Sequence, residues 1–153
     1  MMTHTEKMRV NWVDTDASGR IHNTAALRYF EITEHSLMRK LFGGQSTPGA
    51  RAFGLPRVHV ECDYRASLGY PDEFECTARI ERVGRSSVTY GFRATRLADG
   101  EICLEGRVVA AAVGPDGRSA PLPESFRAVL EAAQAEADDA MGMVETTESE
   151  GAK

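Results

Sequence analysis

Cysteine is scarce in this chain. Cys62, Cys76 and Cys103 are an odd number, widely spaced, with no C-x-x-C pair. That excludes a disulfide scaffold and offers no zinc-ligand spacing. Each lies in an alternating apolar pattern, so all three are expected as reduced thiols packed like small apolar side chains. Long apolar runs are missing too. None approaches the roughly 20 residues of a membrane-spanning helix. The opening segment MMTHTEKMRV contains no apolar stretch of the secretory-signal kind. A basic excess is also lacking. Residues 131–153 hold seven acids and only Lys153, while the other 130 residues carry 17 bases and 16 acids. A near-neutral body argues against a nucleic-acid partner. The expectation is a cytoplasmic protein with neither a membrane nor a nucleic-acid partner.

What is present is ordinary globular composition. The 153 residues are 42% hydrophobic and 27% charged, with 14 Gly and 6 Pro. Collagen-like and wholly disordered chains are excluded, and one domain with a single core is the right size. No internal repeat is visible.

The patterns follow a clear order. Met8, Val10 and Trp12 alternate, so residues 7–13 read as a strand. DTDASGR is a turn cluster. Residues 24–42 contain no Gly or Pro. They carry Ala26, Phe30, Thr33, Leu37 and Leu41 at helical spacing, capped at Asn23 or Thr24, so a long buried helix is expected. GGQSTPGARAFGLP reads as a loop. Four alternating strands follow, around Val58–Tyr64, Phe74–Ile80, Val88–Ala94 and Ile102–Ala112. Val109, Ala111 and Val113 make the end of the last strand apolar on both faces, which suggests contact with another subunit. PLPESFRAVLEAA reads as a short helix with Pro at its start. The expected architecture is α+β: a long central helix wrapped by a five-stranded antiparallel sheet. Residues 1–133 form the domain, and 134–153 are expected as a disordered acidic tail.

The segment VDTDASGRIHNTAALRYFE, residues 13–31, can carry chemistry. On the residues alone, three readings stand. Asp14, Asp16 and Ser18 can close Asx-type turns at a strand end. D-T-D-A-S-G-R-I also follows the first eight positions of a calcium loop. However, Ala25 stands where such a loop needs a bidentate Glu, and the preceding segment reads as a strand. The third reading is acyl transfer. A helix N-terminus presents backbone N–H groups to a developing oxyanion, and a neighbouring carboxylate attacks the carbonyl or activates water.

This segment resembles the hotdog-fold acyl-CoA thioesterases of the 4-hydroxybenzoyl-CoA thioesterase family. The matching residues are Val13-Asp14-Thr15-Asp16-Ala17-Ser18-Gly19 and Leu27-Arg28-Tyr29-Phe30-Glu31. Gly84-Arg85-Ser86-Ser87 and Pro121-Leu122-Pro123 extend the likeness across about residues 7–130. The resemblance implies a hotdog fold and hydrolysis of a thioester to free acid and CoA. It implies a homodimer or homotetramer with active sites at subunit interfaces. No metal and no cofactor is implied, because CoA is part of the substrate. It places the catalytic carboxylate, nucleophile or general base, on Asp16. It places the oxyanion donor on the Asn23 backbone N–H. CoA contacts fall on Gly84, Arg85, Ser86 and Ser87. Lining of the acyl or pantetheine channel falls on Gly54, Leu55, Pro56 and Arg57.

The chain departs from the family at His22-Asn23-Thr24-Ala25-Ala26, where relatives often carry Tyr-His-x-Asn-Tyr. Two alanines there leave room for a larger acyl group. His22 is a candidate hydrogen-bond partner of Asp16 or a structural residue of the helix start. Glu31 is a second-choice acid that can pair with Arg28 and share a network with His35. Two other functions fit the same pattern. One is release of acyl groups from a carrier protein. The other is a hotdog scaffold that binds acyl-CoA or a protein without turnover.

Overall fold

The computed structural model describes residues 3–43 and 54–150, with 140–150 as backbone alone. Most of the loop read over 43–56 lies outside the described residues. The elements run β1 (Thr3–Arg9), a 3-10 turn (Trp12–Asp14), α1 (Ala25–Leu41), β2 (Arg57–Tyr64), β3 (Glu73–Val83), β4 (Ser87–Arg96), β5 (Ile102–Ala111) and α2 (Glu124–Glu150). The strands form one antiparallel sheet in the order β1-β3-β4-β5-β2. The expected five-stranded sheet around a long helix is therefore present.

Alternation decides which face meets the helix. Phe74, Cys76, Ala78 and Ile80 of β3 and Val88, Tyr90, Phe92 and Ala94 of β4 are buried. α1 lays Ala26, Tyr29, Phe30, Thr33 and Leu37 onto them. Tyr29 meets Phe74 with ring centroids 4.7 Å apart, and Phe30 stacks on Phe92 at 4.6 Å. Phe30 reaches that position because β5 carries a glycine beneath it. A Cβ on Gly106 would lie 2.4 Å from Phe30 Cε2 and 2.8 Å from the Glu61 carbonyl oxygen. Gly106→Ala is expected to cost about 3 kcal/mol, the upper end of overpacking effects. The urea midpoint at unchanged m-value measures it.

Three expectations change. The first strand ends at Arg9, not at residue 13. The Asp14 carboxylate accepts the Asn11 N–H (3.0 Å), and the Thr15 N–H donates to the Trp12 carbonyl (3.0 Å). The chain thus coils into a 3-10 turn, and Trp12 is 75% exposed rather than facing the core. Second, the apolar side of β2 is not covered. α1 packs over β1 and β3, leaving Val58, Val60 and Tyr64 60%, 43% and 51% exposed. Third, the helix after Pro123 is longer than the short one expected, running from Glu124 to Glu150. The stripe of Leu122, Phe126, Leu130 and Ala133 extends to the buried Ala137. Gln134 Oε1 accepts the Val83 N–H at 3.2 Å. That stripe lays the helix on the body as far as Ala137, while Glu131, Asp138 and Asp139 stay exposed.

Candidate functional site

The junction between β1 and α1 is tied by backbone. Thr15 bridges Ile21, and the Asp16 N–H donates to the Arg20 carbonyl (2.9 Å). Gly19 closes this small hairpin with φ +78°, a conformation glycine adopts without steric cost. The Ile21 N–H donates to the Leu68 carbonyl (2.9 Å) and the His22 N–H to the Asp14 carbonyl (2.6 Å).

Asp14 is the buried anchor. Its carboxylate accepts from Arg28, from the Tyr29 hydroxyl (2.9 Å) and from the Asn11 N–H. Burial and the adjacent carboxylate push the Tyr29 hydroxyl far above the ordinary phenol range, so it remains a donor. Sequence reasoning missed this role. The usable signal was the first acid of D-x-D set against the helix pair Arg28-Tyr29. Arg28 is thus engaged by Asp14 rather than by Glu31, which is exposed.

Asp16 is exposed. Its Oδ1 accepts both the Ser18 N–H (2.7 Å) and the Ser18 hydroxyl (2.6 Å). The Asx turn expected from the residues is therefore present. Its Oδ2 has no hydrogen-bond partner among the described residues. The Ser18 hydrogen bonds, assisted by His22 and Arg20, hold the Asp16 carboxyl below the usual carboxylate range.

Three residues on, the His22 carbonyl accepts the Ala25 N–H (2.9 Å). The Asn23 N–H, in the same peptide plane, has no acceptor among the described residues. His22 Nδ1 lies 2.8 Å from Thr24 Oγ1 and accepts the Thr24 N–H at 3.3 Å. The imidazole is thus turned into the helix start, with no hydrogen bond to Asp16 among the described residues. A cavity of about 440 Å³ lies between Val13, Asp14 and Thr15 on one side and His22, Thr24, Ala25 and Arg28 on the other. Ala25 lines it, but Ala26 is fully buried in the core. Only one of the two alanines borders this space.

The other sequence candidates lie together at the opposite end of the sheet. The Pro56 carbonyl accepts the Ala111 N–H (3.1 Å), and the Ser86 carbonyl accepts the Ala112 N–H (2.7 Å). Residues 54–57 and the turn 84–87 therefore flank the same end of β5. The Gly84 N–H donates to the Ser87 carbonyl (2.8 Å), and the Arg85 side chain is exposed. Arg57 pairs with Glu34, a buried α1 carboxylate whose titration burial shifts upward against the pull of the guanidinium. Another depression, of about 320 Å³, lies on the outer sheet face. Its Arg65, Arg93 and Arg107 are already paired with Glu105 and Glu81.

Comparison with known proteins identifies the family and the fold. Residues 10–130 match the thioesterase-like superfamily. Over 88 residues the chain is 31% identical to an inferred esterase of Aquifex aeolicus (strain VF5), covering 56% of this chain and 67% of that protein. The structure is similar to the PA5185 protein of Pseudomonas aeruginosa, with 28% identity, 86% of this chain and 91% of that one covered, and a TM-score of 0.71. It is also similar to the 1,4-dihydroxy-2-naphthoyl-CoA thioesterase of Synechocystis, with 18% identity, coverage of 84% and 95%, and a TM-score of 0.75. At that identity the likeness is one of fold. The matching family is broader than the 4-hydroxybenzoyl-CoA type that the motifs resemble. A helix-wrapped antiparallel sheet and a match over most of its length place this chain in the thioesterase-like superfamily, with the hotdog fold.

Proposed function

We propose that this protein hydrolyses acyl-CoA thioesters, with Asp16 as nucleophile and the Asn23 N–H as oxyanion donor. The observation that carries the reading is the pairing of two unspent groups at one helix start. Asp16 Oδ2 and the Asn23 N–H have no hydrogen-bond partner among the described residues. The thioester oxygen accepts from Asn23 near the positive end of α1. Asp16 Oδ2 adds to the carbonyl carbon, the C–S bond breaks, and CoA leaves as thiolate. Water attacks the Asp16 carbonyl carbon of the resulting anhydride, which releases the acid and restores the carboxylate. The lowered titration of Asp16 favours attack over proton abstraction, because a good general base titrates near the working pH. CoA leaves as product, and no cofactor enters the scheme. His22 is read as a residue that holds the turn. Thiol release from a panel of acyl-CoAs, with the same acyl groups on a carrier protein, tests the reading. Release from carrier alone would move the substrate assignment. Release from neither would leave a binding scaffold.

The same proposal includes a homodimer. The two groups of candidate residues are separated by the length of β2, eight residues and roughly 26 Å. β2 is an edge strand with an open apolar side, a ready template for pairing. Antiparallel pairing of two β2 strands about a two-fold axis would set residues 54–57 and 84–87 of one copy beside Asp16 and Asn23 of the other. Mixing Asp16→Asn with Arg85→Glu chains is then expected to restore about a quarter of wild-type activity at low substrate, because half of random dimers carry one intact site. Failure of such mixtures to exceed the sum of the separate variants would exclude a shared site.

A further inference from the structure

We infer that Tyr64 is a positioning residue for the acyl-transfer site, acting through its hydroxyl on the Asn23 carbonyl. The inference rests on the proposed role of the Asn23 N–H as oxyanion donor. Tyr64 ends β2, 41 residues away in sequence, and its hydroxyl donates to the Asn23 oxygen at 2.5 Å.

Two consecutive peptide planes decide where the Asn23 N–H points. In the plane joining residues 22 and 23, the carbonyl accepts from Ala25 (2.9 Å). In the plane joining 23 and 24, the carbonyl accepts from Tyr64 and the N–H donates to His22 Nδ1 (3.3 Å). The first tie is local to the turn. Tyr64 fastens the turn to β2, at the end of the strand away from the Arg57–Glu34 pair. A donor aimed at an oxyanion lowers the barrier only if its direction is held before the charge develops. Hydrogen bonding along a chain of peptides also polarises its members. The Tyr64 phenol, raised in titration chiefly by partial burial, stays protonated and keeps donating at neutral pH. Tyr64 makes this contact from the apolar side of an exposed edge strand, where a Phe would fill the same space. The hydroxyl is the feature that requires an explanation.

The test is Tyr64→Phe in the full chain, which removes one oxygen and leaves the ring. Steady-state thiol release from the best acyl-CoA is measured beside Tm, oligomeric state and amide hydrogen exchange at Thr24. The expected result is a five- to tenfold lower kcat, about the worth of one hydrogen bond, with KM, Tm and oligomeric state unchanged. Faster exchange at Thr24, whose N–H is held by His22 Nδ1, should accompany it. Wild-type kcat in the variant would overturn the inference alone. A loss that appears in KM, in Tm or as dissociated subunits would overturn it too, because Tyr64 would then be a packing or interface residue. Absence of turnover by the wild-type protein on every thioester would overturn the oxyanion reading, and this inference with it.

Discussion

Replacing Asp16 with Asn is expected to lower thioester turnover by roughly 10³-fold or more while leaving Tm unchanged. The amide keeps an oxygen that can accept from Ser18, so the Asx turn and the hairpin survive. It removes the anion to which the proposed attack is assigned. Because the carboxylate is exposed, its contacts in the turn contribute little to folding, and loss of rate separates cleanly from loss of structure. The same geometry sets the pH dependence. Asp16 must be ionised to act, and the Ser18 hydrogen bonds lower its titration below the usual carboxylate range. Activity should therefore persist as pH falls through that range, and the acid limb of kcat/KM attributable to Asp16 should lie beneath it. A single-turnover reaction in ¹⁸O-water distinguishes the two mechanisms. Oxygen-18 first incorporated into the released acid marks a general base. Oxygen-18 retained in the Asp16 carboxylate after one turnover marks a nucleophile. A variant with near-wild-type turnover would remove Asp16 from the mechanism.

Asp14→Ala is expected to destabilise the fold by about 3 kcal/mol, seen as a Tm lower by about 10 °C. Asp14 is 4% exposed and answers three donors from two elements. Alanine leaves the buried Tyr29 hydroxyl and the Asn11 N–H without their acceptor, and unmet buried donors cost more than a formed hydrogen bond returns. Arg28 suffers less, since its side chain is half exposed and can turn to water. Asp14→Asn, which keeps an acceptor and the volume, should lose about half as much. A double-mutant cycle with Tyr29→Phe should return a coupling of about 1 kcal/mol. A Tm within about 2 °C of wild type for Asp14→Ala would show that the anchor is dispensable.

The two neighbouring aspartates show what a motif can and cannot tell. D-x-D marks both as polar residues at a strand end, and nothing local separates them. The 3-10 turn separates them by rotating Asp14 beneath Arg28 and Tyr29 and turning Asp16 outward onto Ser18. His22 is a similar case. Its neighbours in sequence permit a hydrogen bond to Asp16, but Thr24 lies closer once the helix begins. Tyr64 and Glu34 drew no attention as sequence, because an alternating strand and a helix face predict burial and not the partner across a gap. Trp12 misled for a related reason. Alternation was read through a segment where Asp14 captures the Asn11 N–H and ends the strand.

The sequence by itself determined the element order, the helix that fills the sheet, and the strand faces that build the core. Periods of two and 3.6 are local properties, and Gly and Pro punctuate them directly. It also marked the acid-turn-helix junction as a candidate place for acyl chemistry, because a helix start exposes the same N–H groups in any fold. Tertiary structure decided the rest. The order β1-β3-β4-β5-β2 makes β2 an edge and separates residues 54–57 and 84–87 from Asp16. It brings Tyr64 to Asn23, and it lays Leu130, Ala133 and Ala137 of α2 against the body. Those are contacts between residues distant in the chain, set by how the sheet and the helices pack, and no local spacing encodes them.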